Sequence, residues 1–101
     1  MNAPAAGSPQ SARQVAAICR TSEAAQALER LSAAVPDPAR AQLLWLTWVQ
    51  WRALGRERMI GETGLSLWTI TCRLRQIRES GVPVLSWAEE TDLLARGRFA
   101  S

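Results

Sequence analysis

Arginine side chains are concentrated in the middle of this 101-residue chain. Six arginines lie between Arg52 and Arg78 with only two acids among them, so this segment alone has a net charge of +4, against +3 for the whole chain. A guanidinium group is a planar fork of donors that fits the oxygens of a phosphate. Because the residues from Glu79 onward are net acidic, the positive field is centred on the segment. The composition therefore predicts a phosphate-binding surface there.

Side chains that can read base edges accompany these arginines. Arg75 can pair bidentately with guanine, Gln76 with adenine, and Thr71 can touch a base or a thymine methyl group. Other arginines, and a serine at a helix start, would hold phosphates, which set register without reading sequence. Trp68 has three possible roles: packing on the core, insertion near the sugar-phosphate backbone, or marking a protein-binding patch. The candidate DNA contacts are Arg56, Arg58, Ser66, Leu67, Trp68, Thr69, Thr71, Cys72, Arg73, Arg75, Gln76 and Arg98.

The spacing around these residues is that of a helix-turn-helix. Gly64 lies where the chain must reverse, since a residue without a Cβ adopts the left-handed conformation at least cost. Ser66 can cap the first free amides of the helix that follows. The residues four, eight and eleven positions after Ser66 are apolar and share one helical face. They predict a buried stripe opposite the candidate contacts.

A β-strand is predicted after this helix. Gly81 ends the helix, and residues 82–87 combine β-branching with a proline that comes too early for the helix to continue. Gly97-Arg98-Phe99 is the candidate return strand. The predicted fold class is therefore mainly α: a winged helix-turn-helix, with a three-helix core, a small β-wing and an N-terminal helical extension.

The stretch from Met59 to Leu85 resembles the winged helix-turn-helix of biotin-repressor-type and DeoR-type bacterial regulators. In those proteins a short helix and a Gly-apolar-Ser turn precede a helix that ends in LR-x-x-G-V, which here reads Ile77-Arg78-Glu79-Ser80-Gly81-Val82. The resemblance implies that the helix from Ser66 to Ser80 enters the major groove. The chain departs from the pattern at Ile60 and Thr63, at the apolar Leu67 and Trp68, and in the acidic linker from Ala88 to Arg96.

The rest of the chain is predicted to be helical beyond a short leader. Residues 1–10 are expected to form a disordered leader. Residues 11–35 are expected to form the helical extension, with a break near residues 20–22 where a new cap can form. Asp37 as N-cap, Pro38 as first helical residue and Gly55 as stop predict a helix from Pro38 to Leu54. Residues 36–101 would then be the winged helix-turn-helix domain.

The helix from Pro38 to Leu54 has apolar side chains around most of its circumference. One face can pack on the motif helices, and the remainder needs another cover, either the N-terminal helix of the same chain or a second subunit. We expect a homodimer, with Trp45, Trp48 and Val49 as the interface.

Several functional classes have little support in the composition. The chain has no histidine, lysine or tyrosine, no glycine-rich phosphate loop and no acid pair that suggests a catalytic site, so we expect no enzyme and no cofactor or small-molecule ligand. Cys19 and Cys72 are too few for a zinc site and indicate reduced thiols. The N-terminus lacks a signal peptide, and no stretch is apolar enough to span a membrane. A cytoplasmic protein is expected.

These patterns predict a sequence-specific double-stranded DNA-binding transcriptional regulator. It would be a small repressor of bacterial, phage or plasmid origin that occupies an operator. Two alternatives remain open. One is a protein-interaction winged-helix module, an adaptor or inhibitor that uses Trp68 and the tryptophan-rich helix. The other is an excisionase- or terminase-like DNA-binding accessory protein.

Overall fold

The computed structural model describes residues 9–84, which form four α-helices. The longest helix is central, and each of the other three packs against it. In chain order the helices are α1 (Pro9–Cys19), α2 (Ser22–Ala34), α3 (Pro38–Thr63) and α4 (Leu67–Glu79).

Local capping sets the boundaries of the first three helices. The Thr21 hydroxyl accepts a 3.1 Å hydrogen bond from the Ala24 amide and donates to the Ile18 carbonyl, so it separates α1 from α2. Asp37 accepts from the Ala39 amide at 3.1 Å, and Pro38 follows it as the first residue of α3. Both predictions, a break near residues 20–22 and an Asp37 cap, are confirmed.

A kink at Gly55 divides α3 into two limbs. Gly55 has φ 80° and ψ 177°, which no α-helix accommodates, so the first limb ends at residue 54 as predicted. Helical structure resumes at once, and residues 56–63 form the second limb. This limb corresponds in position to the first helix of the predicted helix-turn-helix.

The hydrophobic core surrounds the first limb of α3. The buried apolar residues come from α2, from both limbs of α3, from α4 and from the segment that follows it. Val15 and Ile18 of α1 pack against this cluster from the outside. Most of the apolar side chains around α3 are therefore covered by other parts of the same chain, and Leu46 is left exposed.

The predicted β-wing is wrong for the segment that the structure describes, whereas a mainly α fold is confirmed. None of residues 9–84 is in a β-strand. Val82 and Val84 are buried in the helical core, and side chains of two helices bind the backbone between α4 and Val84: Trp48 donates to the Pro83 carbonyl at 2.8 Å and Arg30 to the Gly81 carbonyl at 3.1 Å. The β-branched side chains of Val82 and Val84 are thus buried in a helical core, and no strand lies beside them within residues 9–84. The candidate return strand of residues 97–99, which includes Arg98, and the acidic linker lie outside the described residues.

No helix within residues 9–84 combines the length and the apolar character needed to cross a lipid bilayer.

Candidate nucleic-acid interface

A tight turn joins the second limb of α3 to α4. Gly64 adopts the left-handed conformation, with φ 73° and ψ 5°, and its amide donates to the Ile60 carbonyl at 3.0 Å. The Thr63 hydroxyl donates to the Met59 carbonyl and accepts from the Leu65 amide. These two hydrogen bonds also stabilise the turn. The prediction that Gly64 permits this reversal is confirmed.

Ser66 caps α4, as its position predicted. Its hydroxyl oxygen accepts a 3.1 Å hydrogen bond from the Thr69 amide. The predicted stripe of Ile70, Leu74 and Ile77 is buried against the core, which confirms the inward face of α4. Because this stripe faces the core, the side chains on the opposite side of α4 face outward.

The outward face of α4 carries polar and basic side chains and one tryptophan. Trp68, Thr71, Arg75 and Arg78 are all exposed, and the intervals of three, four and three residues place them along one side of the helix. No acid occurs in α4 before its last residue, Glu79. We call Trp68, Thr71, Arg75 and Arg78 the outward face below.

Three of the six clustered arginines make contacts inside the fold. Arg52 lies 3.2 Å from Glu23 and over the Trp48 ring. Arg58 and Arg73, both predicted to hold phosphates, are engaged as well. Arg58 donates to the Ser11 hydroxyl and lies 3.8 Å from Glu62, and Arg73 donates to the Thr47 hydroxyl at 3.4 Å. These contacts join α4 and the second limb to the rest of the molecule.

Gln76, predicted to read adenine, is held by α3. Arg40 donates two hydrogen bonds to its carbonyl oxygen, from Nε at 3.1 Å and from Nη2 at 2.8 Å. Pairing with adenine requires that oxygen as an acceptor. In this structure Gln76 therefore connects α4 to α3 through Arg40; we call this pair the Arg40–Gln76 brace.

The remaining candidates lie near the start of α4 and on the second limb. Arg56 and Ser66 are exposed, Leu67 is 45% exposed, and Thr69 and Cys72 are half-buried. Both cysteines are free thiols. Within residues 9–84, no group of three histidine, cysteine or acidic side chains is arranged to hold a metal ion.

The three residues of the predicted dimer interface make contacts within the chain itself. Val49 is completely buried and Trp48 is 4% exposed, with the Trp48 indole bonded to Pro83. Trp45 packs against the core and donates a 2.8 Å hydrogen bond to the Ala24 carbonyl of α2. These three side chains therefore pack within the same chain, and a second subunit as cover for this face stays a prediction.

Two residues of the interface region were not predicted to take part. Arg78 belongs to the charge cluster but was not assigned a contact, and α4 exposes it beside Arg75. Arg40 lies 36 positions before Gln76, so no local spacing pairs them. The one signal available in the sequence is the predicted start of α3 at Pro38, which places Arg40 in the first turn of that helix.

Comparison with protein-family models, with curated proteins and with solved structures finds nothing that matches this chain. What the interface can bind therefore follows from its own geometry.

Proposed function

We propose that the protein binds double-stranded DNA through the helix-turn-helix of residues 56–79, with α4 in the major groove. The observation that carries this proposal is the outward face: two arginines, a threonine and a tryptophan are exposed on one side of a capped helix whose other side is buried. A helix of this kind fits the width of the major groove of B-DNA.

Each polar member of the outward face has a role that its chemistry supports. Arg75, in the middle of the face, can pair bidentately with guanine, and Thr71 can contact the neighbouring base or a thymine methyl group. Arg78 and, on the second limb, Arg56 are exposed and can hold phosphates on either side. The N-terminus of α4 adds a partial positive charge close to the sugar-phosphate backbone of the DNA.

Transcriptional regulation is the role that we propose for this binding. A protein that occupies the major groove at a promoter blocks access of polymerase to the same stretch of DNA. The internal contacts of Arg40 and Arg73 support it, because they tie α4 to α3 and so present its side chains in a defined register.

Fluorescence polarisation with a labelled duplex of random sequence tests the proposal. Two phosphate contacts, from Arg56 and Arg78, predict that affinity falls about 12-fold between about 50 and about 200 mM salt. Arg78→Ala should lower affinity on every sequence and flatten the salt dependence by about one contact. Arg20→Ala, which removes the same charge from an exposed site just after α1, is the matched control and should change neither. Failure to bind duplex DNA even at the lower salt concentration would refute the proposal.

A protein-interaction module is the second candidate. It is favoured by one observation, the exposure of two large apolar side chains, Leu67 and Trp68, at the start of α4. Under this alternative, Arg78→Ala has no effect on function, whereas changes at Leu67 and Trp68 abolish it.

A further inference from the structure

The start of α4 exposes an aromatic ring that the fold does not use. Trp68 is 74% exposed and its neighbour Leu67 is 45% exposed. Among the described residues, the only other large apolar side chain this open is Leu46 on α3. Two of the three therefore lie side by side at one end of the proposed recognition helix. Exposure of two large apolar side chains at consecutive positions is what a binding surface would require.

The outward face becomes cationic beyond Trp68. Thr71, Arg75 and Arg78 follow it along this face, and α4 contains three arginines and no acid before its last residue. A ligand that spans the outward face must therefore combine a flat apolar face with negative charge further along it. A nucleobase attached to its phosphate has both properties, since it stacks on an indole while the arginines hold the backbone. Charge complementarity thus selects nucleic acid over an apolar protein surface.

An intact duplex gives Trp68 little to contact. The base faces are covered by their neighbours in the stack, and the indole offers one N–H donor to the edges in the groove. An unstacked base instead presents its whole face to the ring. Apolar side chains that insert at a base step must open it, and that opening costs least where pairing is already interrupted.

We propose that Trp68 stacks on an unstacked base, so that the preferred target of α4 is duplex DNA with a local interruption of pairing, such as a bulge or a mismatch. This inference rests on the proposed function, since α4 must first engage DNA through Arg75 and Arg78. It adds a preference for DNA structure to the reading of base edges.

The experiment compares two labelled duplexes of the same sequence, one fully paired and one with a two-nucleotide bulge at its centre. The full-length protein should bind the bulged duplex about 10-fold more tightly, which is the scale of one base stacked on an aromatic ring. Trp68→Ala should remove most of that preference, and Trp68→Phe should keep it, because phenylalanine retains an aromatic face. Leu46→Ala removes an exposed apolar side chain outside the helix-turn-helix and is the matched control; the preference should remain.

Tryptophan emission supplies a readout that a purely structural role would not change. Stacking on a base quenches an indole, so emission should fall when the bulged duplex is added to the unmodified protein and fall much less with Trp68→Phe. Equal affinity for the two duplexes, or an equal loss on both with Trp68→Ala, would overturn the inference and leave the proposed function intact. Absence of binding to either duplex would refute both.

Discussion

Replacing Gly55 with alanine is expected to destabilise the protein by about 2 kcal/mol, because the kink of α3 requires a conformation that is essentially restricted to glycine. The φ of 80° and ψ of 177° place the residue in that region. A Cβ added there would meet no heavy atom within 4 Å, so the cost arises in the backbone and not from a clash.

The other two glycines in this part of the chain provide a graded comparison. Gly64, at φ 73°, is in the left-handed region that other residues reach at modest cost, so Gly64→Ala should cost about 1 kcal/mol. Gly61 lies inside the second limb and its added Cβ would also meet nothing within 4 Å. Because alanine is the better helix former, Gly61→Ala should stabilise the protein by about 0.5–1 kcal/mol.

Urea unfolding followed by circular dichroism measures all three variants. The expected order of stability is Gly61→Ala, the unmodified protein, Gly64→Ala and then Gly55→Ala. In a chain of this size, the Gly55→Ala variant should melt about 10 °C lower than the unmodified protein. If Gly55→Ala proves as stable as Gly61→Ala, residues 38–63 form a straight helix and the second limb does not lie where the structure has it.

Three further predictions concern contacts that hold α4 and the core. Arg40→Ala should cost about 1 kcal/mol, and a double-mutant cycle with Gln76→Ala should give a coupling free energy of about 0.5–1.5 kcal/mol; additive effects would mean that the brace is absent. Trp45→Glu should destabilise the fold by about 3 kcal/mol in chemical unfolding, because it removes packing and the hydrogen bond to the Ala24 carbonyl; a stable variant whose sedimentation shifts from dimer to monomer would instead support the dimer interface. Ser66→Ala should cost about 1 kcal/mol, and a neutral effect would argue against the cap.

Features that depend on a few adjacent residues could be predicted from the sequence. Asp37, Gly64 and Ser66 each have their capping or turning partner within four positions, so the residue type and its place decide the local structure. The inward stripe of α4 follows in the same way from helical periodicity. These features define the turn between the second limb and α4 and hence the side of α4 on which Arg75 lies.

Features that depend on distant partners could not be predicted in this way. Val82 and Val84 have the side chains of a strand, yet the carbonyl of Pro83 is bound by Trp48, 35 positions earlier. Gln76 has the chemistry to read adenine, yet Arg40 holds it. Periodicity likewise shows that Trp48 needs a cover but not which helix provides it. Tertiary contacts decide in each case.

Chemical-shift mapping of the isotope-labelled protein tests the central claim most directly, because it locates the DNA on the surface. On addition of duplex DNA we expect the largest amide shifts at Ser66, Trp68, Thr71, Arg75 and Arg78, with residues of α1 and α2 unchanged. Shifts confined to α1 and α2, or no shift at a salt concentration that favours binding, would contradict the assignment of α4 as the recognition helix.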